Sequence, residues 1–297
     1  MPTDHRTRIA ERGEAELIFQ FGTLAPESAH EALGITTGRI GGGVVLSVRD
    51  DPMGGFWNRA LGLGLTEPVT ARLIGEIVDF HRANGSPSAT IQIAPEVLPS
   101  DWDEITARYG LTVGGTWVKL AGSIDDLRPD DTRPGTPDLP ADRPGPGPRT
   151  DLRVGPVTPE HVDEWSALVW QIFAGRSDEH LTSIMASGAR RGAFQGFAAW
   201  DGDTMVGVAN LYVCGDIGHL NSGATLESHR RHGVQSALIA ARARAAAEAG
   251  CRWLVAETGR PERPGSNPSL NNMVRAGLTP LYERNNWIWR PEAGTNA

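Results

Sequence analysis

The sequence predicts an α/β protein of the α+β kind, built as two halves that each fold a mixed, mostly antiparallel sheet flanked by helices. Three observations carry this prediction. Short β-type runs alternate with runs of helical apolar spacing along the chain. A proline-rich stretch interrupts that alternation near the middle. Residues 221–250 read as a strand, a basic loop and a helix, a unit that organises the second half.

In that unit Asn221-Ser222-Gly223-Ala224-Thr225-Leu226 is strand-like, and Glu227-Ser228-His229-Arg230-Arg231-His232-Gly233 has loop character with adjacent arginines. From Val234 the apolar positions Val234, Ala237, Leu238, Ala241 and Ala245 follow one face of a helix, which Gly250 stops. Such a junction aims free backbone N–H groups, the positive end of a helix dipole and two guanidinium groups at one point, and that point suits a phosphate or pyrophosphate. Gly233 and the small Ser236 keep the approach open. The plainer alternative is a solvated arginine loop with an ordinary turn.

The residues Arg230-Arg231-His232-Gly233-Val234-Gln235-Ser236-Ala237-Leu238 resemble the pyrophosphate-binding loop of the GNAT superfamily of acetyl-CoA-dependent acetyltransferases. That loop reads Gln/Arg-x-x-Gly-x-Gly/Ala. Arg230 and Gly233 match its first two fixed positions, while Gln235 stands where the family has Gly or Ala. The resemblance implies that Ala224, Thr225, Leu226, Arg230, Arg231, His232, Gly233, Val234, Gln235 and Ser236 contact coenzyme A. Asn267 and Asn271, in a segment ahead of Gly277 that resembles the family's late asparagine-bearing stretch, join them. It covers roughly residues 151–290.

Length and charge exclude other classes. With 297 residues the chain is long enough for two domains, each able to bury a core. A net charge of −8 and a pI near 5.5 argue against a nucleic-acid binder. Lys119 is the only lysine, so positive charge is almost all arginine. Cys214 and Cys251 lack paired spacing and read as small buried hydrophobes in a reducing compartment. The charged first residues contain no secretory h-region, and no apolar run reaches membrane-spanning length. A cytoplasmic protein, monomer or homodimer, is the expectation.

In the first half a helix over Arg6–Phe21 has a thin apolar stripe. Gly41-Gly42-Gly43 precedes the strand Val44–Val48 and reads as a turn. Phe56–Leu65 is expected as a strand, and Thr66-Glu67-Pro68 as the start of a helix running to Asn84. Strand Ala89–Ala94, helix Asp101–Tyr109 and strand Leu111–Leu120 follow. This order repeats that of the second half without its basic loop, so residues 1–125 are expected to be a degenerate GNAT-like domain that does not hold pyrophosphate. Between them lies a linker at 126–150, with Pro129, Pro134, Pro137, Pro140, Pro144, Pro146 and Pro148 and almost no apolar residues.

The domain over 151–297 opens with strand Leu152–Val157 and a helix started by Thr158-Pro159-Glu160, with Val162, Trp165, Leu168, Val169, Ile172 and Phe173 as its buried face. A helix at Glu179–Arg190 precedes an antiparallel meander of Phe194–Trp200, Thr204–Cys214 and Gly218–Leu226, with Asp201-Gly202-Asp203 as a hairpin turn. After the motif helix come strand Arg252–Glu257, a loop at Gly259–Gly265, a helix at Pro268–Ala276 and two strands around Leu281 and Trp287.

The chemistry implied by the resemblance is attack of an amine on the acetyl thioester, with a base for the amine and an acid for the thiolate. Glu227 and Glu257, each at a strand end facing the place where two strands splay to admit pantetheine, are the candidate bases; either reads equally as a solvated acid. His219 is a third. The family's tyrosine, four residues before the late glycine, is replaced by Met273, and Tyr282 is the candidate substitute acid, or else a packing residue. His229 and His232 read as solvated rather than metal-binding, and no metal is expected. The expected activity is acetyl transfer from acetyl-CoA to a primary amine of a small molecule. The alternatives are a non-catalytic acyl-CoA-binding or sensing module, which Met273 and Gln235 permit, and a protein N-acetyltransferase. Nothing in the chain distinguishes a polyamine, an antibiotic, an amino acid or a protein N-terminus as acceptor.

Overall fold

A computed structural model describes residues 3–127 and 152–291. Most of the proline-rich stretch, on which the expected linker falls, lies outside the described residues. The chain divides into two compact units, Met1–Trp117 with Tyr282–Ala297, and Val118–Leu281. The first unit therefore takes in the C-terminal segment as well as the N-terminal one.

In the first unit, α1 (His5–Thr23) starts at Asp4, whose carboxylate accepts from the N–H groups of Arg6 and Thr7. It is followed by α2 (Glu27–Leu33), β1 (Ile35–Ile40), β2 (Gly43–Val48), β3 (Arg59–Leu61), α3 (Ala71–Ala83), β4 (Ala89–Gln92), α4 (Trp102–Tyr109) and the first residues of β5 (Thr112–Ser123), which from Val118 on belongs to the second unit. β1 pairs antiparallel with β2, β2 with β3, and the later β11 (Thr279–Trp289) with β4, whereas β3 and β4 run parallel. Apolar residues of α3, namely Leu73, Ile74, Ile77 and Val78, close over Val45, Ala60 and Ile91 of this sheet.

Several expectations are corrected here. The strand expected over Phe56–Leu65 shrinks to Arg59–Leu61, because Gly62 and Gly64 take positive φ and turn the backbone out of the sheet. Helix α3 starts at Ala71, not at Thr66: Thr70 is the residue whose hydroxyl accepts from the Leu73 N–H, at 3.2 Å. The two last strands are one, β11. Helix α2 and strand β1 lie in a region whose sequence pattern is ambiguous.

His81 on α3 is fully buried, with Nδ1 3.0 Å from Ser86 Oγ, which in turn meets Ser47 Oγ at 2.8 Å. Burial lowers its pKa from 6.5 to about 4. The unfolded chain thus takes up this proton at higher pH than the folded one. The contribution is fully present above pH 6.5 and is lost as pH falls toward 4, a change of roughly 3 kcal/mol. Urea unfolding at neutral pH and near pH 4 should show that loss in the native protein, and a smaller loss by about that amount in His81→Leu.

The second unit contains β6 (Leu152–Pro156), α5 (Val162–Ala174), α6 (Glu179–Arg190), β7 (Phe194–Asp201), β8 (Thr204–Cys214), β9 (Ile217–Thr225), α7 (Val234–Glu248), β10 (Trp253–Gly259) and α8 (Pro268–Arg275). Its strand order is β5-β10-β9-β8-β7-β6; β6 to β9 pair antiparallel in sequence, and β10 lies parallel to β9. Gly202, at φ 58°, makes the β7–β8 turn. The α/β expectation with mostly antiparallel pairing is met in both units. Phe173, expected on the buried face of α5, is instead 53% exposed, while Trp170 and Ser166 face inward. Cys251 is buried as expected, but Cys214 is only half-buried.

α7 covers one face of this sheet with Val234, Leu238, Ala241 and Ala246. Gly207 on β8 permits its close approach, since a Cβ there would sit 2.5 Å from Val234 Cγ1. α5 packs on β8 and β9, with Trp165 Nε1 donating to the Ala209 carbonyl at 3.2 Å.

Candidate active site

The site begins with a defect in β9. Between the pairs Val208↔Ala224 and Asn210↔Asn221, β8 advances two residues and β9 three, so β9 holds an extra residue in a β-bulge. Ser222 carries the distortion with φ 50°, a left-handed conformation uncommon for a non-glycine residue. On its other edge β9 pairs with β10 only from Ile217↔Trp253 to Leu220↔Ala256, although β9 runs on to Thr225 and β10 to Gly259. Past Leu220 and Ala256 the two strands part. Their facing backbone edges are thereby open to a third extended segment, the way an added strand binds.

Arg242 of α7 lies beneath this bulge, 3% exposed. Its Nη1 donates to the carbonyls of Asn210, at 3.1 Å, and Asn221, at 3.2 Å, and its Nε to the Leu238 carbonyl. Burial works against its charge and lowers its pKa; the carbonyls of Asn210 and Asn221 beside the bulge supply part of the compensation. On the sheet face away from α7, Asn210 Nδ2 donates to Asn221 Oδ1 at 2.9 Å.

β9 ends in a single 3₁₀ turn, Glu227–His229, and the chain then reaches α7 through Arg230 in extended conformation, Arg231 at φ 66° and Gly233 at φ 78°, ψ −1°. No side chain caps the helix. The first bond along its axis runs from Ala237 N to Gly233 O at 3.0 Å. The N–H groups of Val234, Gln235 and Ser236 therefore have no acceptor within the helix and face the end of the opening. Arg230, Arg231 and Ser236 are exposed beside them. This is an anion-receiving end next to a slot between strands.

Gln235 does not reach into the loop as an obstacle. Its Nε2 donates to Ser269 Oγ at 2.9 Å, and its Oε1 accepts from Asn272 Nδ2 at 2.7 Å, tying α7 to α8. Asn267 caps α8 by accepting from Leu270 N, while its Nδ2 donates to the Gly259 carbonyl and to Thr258 Oγ1. Asn271 Nδ2 donates to the Gly265 carbonyl at 2.8 Å. Both asparagines thus hold the 259–265 loop to α8. Met273 is buried in the core shared with α7.

Among the candidate bases, Glu227 is exposed in the 3₁₀ turn, and Glu257 is the first residue of β10 beyond the paired stretch. Lys119, 1% exposed, places Nζ 3.3 Å from Glu257 Oε2. His219 is buried on β9, in register with Val255. Tyr282 belongs to the first unit. There its hydroxyl donates to Glu11 Oε1 at 2.6 Å, and burial together with that carboxylate pushes its pKa above the usual tyrosine range. A hydroxyl so held gives up its proton less readily than a free tyrosine. His229 meets Asp201 Oδ2 at 3.2 Å and Ser228 Oγ at 2.8 Å. Among the described residues no group of three or more His, Cys, Asp or Glu side chains could hold a metal ion.

Residues 150–260 match the family described as "Acetyltransferase (GNAT) domain". This segment resembles the GNAT acetyltransferase family. It ends at Arg260, just past β10, and so contains the bulge, the parting strands and the basic loop. Solved structures of similar fold include a GCN5-related N-acetyltransferase from Kribbella flavida, 17% identical, covering 96% of each chain with a TM-score of 0.58. A GCN5-related N-acetyltransferase from Sphaerobacter thermophilus is 13% identical over 86% of this chain and 76% of its own, with a TM-score of 0.54. A tandem GNAT protein from the clavulanic acid biosynthesis pathway is 15% identical over 93% of this chain and 95% of its own, at 0.54. No curated protein matches the chain in sequence.

Two polar residues near this site are not singled out as site residues by sequence reasoning. Arg242 had a visible signal, a charge on the alanine-rich inner face of the motif helix. Lys119 had only its status as the sole lysine.

Proposed function

We propose that the protein is an N-acetyltransferase that moves the acetyl group of acetyl-CoA to a primary amine of a small molecule. The observation that carries this reading is the parting of β9 and β10 directly before the uncapped N-terminus of α7. The open strand edges suit the extended, amide-bearing pantetheine arm, and the N–H groups of Val234, Gln235 and Ser236, with Arg230 and Arg231 beside them, suit the pyrophosphate. His232 lies in the same loop, and Ala224, Thr225 and Leu226 line the strand side. The amine adds to the thioester carbonyl carbon, with Glu227 or Glu257 available to take its proton. Residues 1–125, which have no counterpart of the basic loop, serve in this reading as a second, GNAT-like copy without coenzyme.

A non-catalytic acyl-CoA-binding module is the second reading. It is favoured by the buried Met273 at the position of the family's acid and by the commitment of Tyr282 to Glu11. Titration calorimetry with acetyl-CoA, followed by thioester consumption against a panel of primary amines, separates the two. Binding at one site per chain with amine-dependent release of thiol supports the enzyme. Binding without turnover across the panel supports the module, and absence of binding overturns both.

A further inference from the structure

Lys119 and Glu257 are far apart in sequence but share one face of the sheet. Val118, Leu120, Leu254 and Ala256 enter the core with Leu238 of α7. Because side chains alternate across a strand, Lys119, Val255 and Glu257 stand on the opposite face. His219, the register partner of Val255, stands there too. α5, packed on β8 and β9, turns Trp165, Ser166, Val169 and Trp170 inward, none of which is charged. Lys119 and His219 are thus among the charged or titratable groups on the face that carries Glu257.

A buried ion pair is a weak source of stability, because desolvating both partners offsets most of their attraction. This one sits at the point where β9 and β10 separate. We propose that Lys119 is a positioning residue whose ammonium fixes the Glu257 carboxylate toward the opening, and that Glu257, rather than Glu227, is the proton acceptor of the transfer. The proposal rests on the acetyltransferase reading above. In the step, the amine nitrogen forms a bond to the acetyl carbonyl carbon, the carbon–sulfur bond breaks, and its electron pair leaves with the sulfur. The proton shed by the nitrogen passes to Glu257 and from there, by way of solvent, to the thiolate, giving amide and free thiol. Glu227 offers no such fixed geometry, since it is exposed in a turn.

The sole lysine makes the test specific. Protein isotopically labelled at the lysine side-chain nitrogen gives a single Nζ resonance. It is titrated with acetyl-CoA and, separately, with adenosine 3′,5′-bisphosphate, which carries the nucleotide end without pantetheine or acetyl group; calorimetry runs in parallel. The expected result is that Glu257→Gln displaces the resonance, that acetyl-CoA displaces it in the native protein, and that the nucleotide does not. A merely structural pair would answer to Glu257→Gln and ignore acetyl-CoA. Calorimetric binding of acetyl-CoA with a stationary resonance, or equal displacement by the nucleotide, overturns the proposal alone. Absence of calorimetric binding overturns the acetyltransferase reading, and the proposal with it.

Discussion

Replacing Gly233 by glutamate is expected to weaken acetyl-CoA binding at least about 100-fold, the equivalent of losing two charge-assisted hydrogen bonds at roughly 1.5 kcal/mol each. Two effects add. Gly233 holds φ 78°, where an L side chain is strained by about 1 kcal/mol. The new carboxylate would stand at the N–H groups of Val234, Gln235 and Ser236 and occupy the positive helix end that the pyrophosphate needs. Gly233→Ala is the control: it carries the strain without the charge and should lose much less affinity. Calorimetry on both variants, with circular dichroism to confirm that each is folded, checks the ordering. Equal affinities for native protein and Gly233→Glu would place the coenzyme elsewhere.

Arg284→Met is expected to cost the first unit about 3–5 kcal/mol, the usual result of removing one partner from a buried ionic network. Arg284 is fully buried, and its Nη1 donates to both Glu11 oxygens at 2.9 and 2.7 Å while Nη2 donates to Glu14 Oε2 at 2.7 Å. Arg59 reaches Glu14 Oε1 at 3.3 Å and so compensates Glu14 in part. Glu11 loses most, keeping the hydrogen bond from the Tyr282 hydroxyl. Adding Glu11→Leu to Arg284→Met should restore part of the loss, since an apolar pair of similar volume removes the stranded charge. The midpoint of urea unfolding reads both. A single variant as stable as the native protein would show that the network carries no net weight.

Local pattern accounts for much of what was readable. The spacing of Val234, Leu238 and Ala241 marks α7; Glu179–Arg190 and Thr204–Cys214 coincide with α6 and β8; and Gly202 marks the hairpin between β7 and β8. These are properties of neighbours along the chain, where period and turn chemistry act directly. Thr66-Glu67-Pro68 misled because a second threonine, Thr70, competes for the same capping role and lies nearer the first apolar turn of α3. Phe56–Leu65 misled because its glycines, apolar in composition, take positive φ.

The sequence alone thus determined most of the succession of elements from β2 to α8, the basic loop with Gly233 ahead of α7, and the acetyltransferase resemblance of the second half. The tertiary structure decided what the polar side chains do. Tyr282 finds Glu11 at a separation of 271 residues and Lys119 finds Glu257 at 138, while Asn267 and Asn271 turn to the loop between β10 and α8. The reason is physical: a period or a turn is written in adjacent residues, whereas the partner of a buried charge is set by which distant strands become neighbours in a sheet, and by the need to satisfy that charge once water is gone.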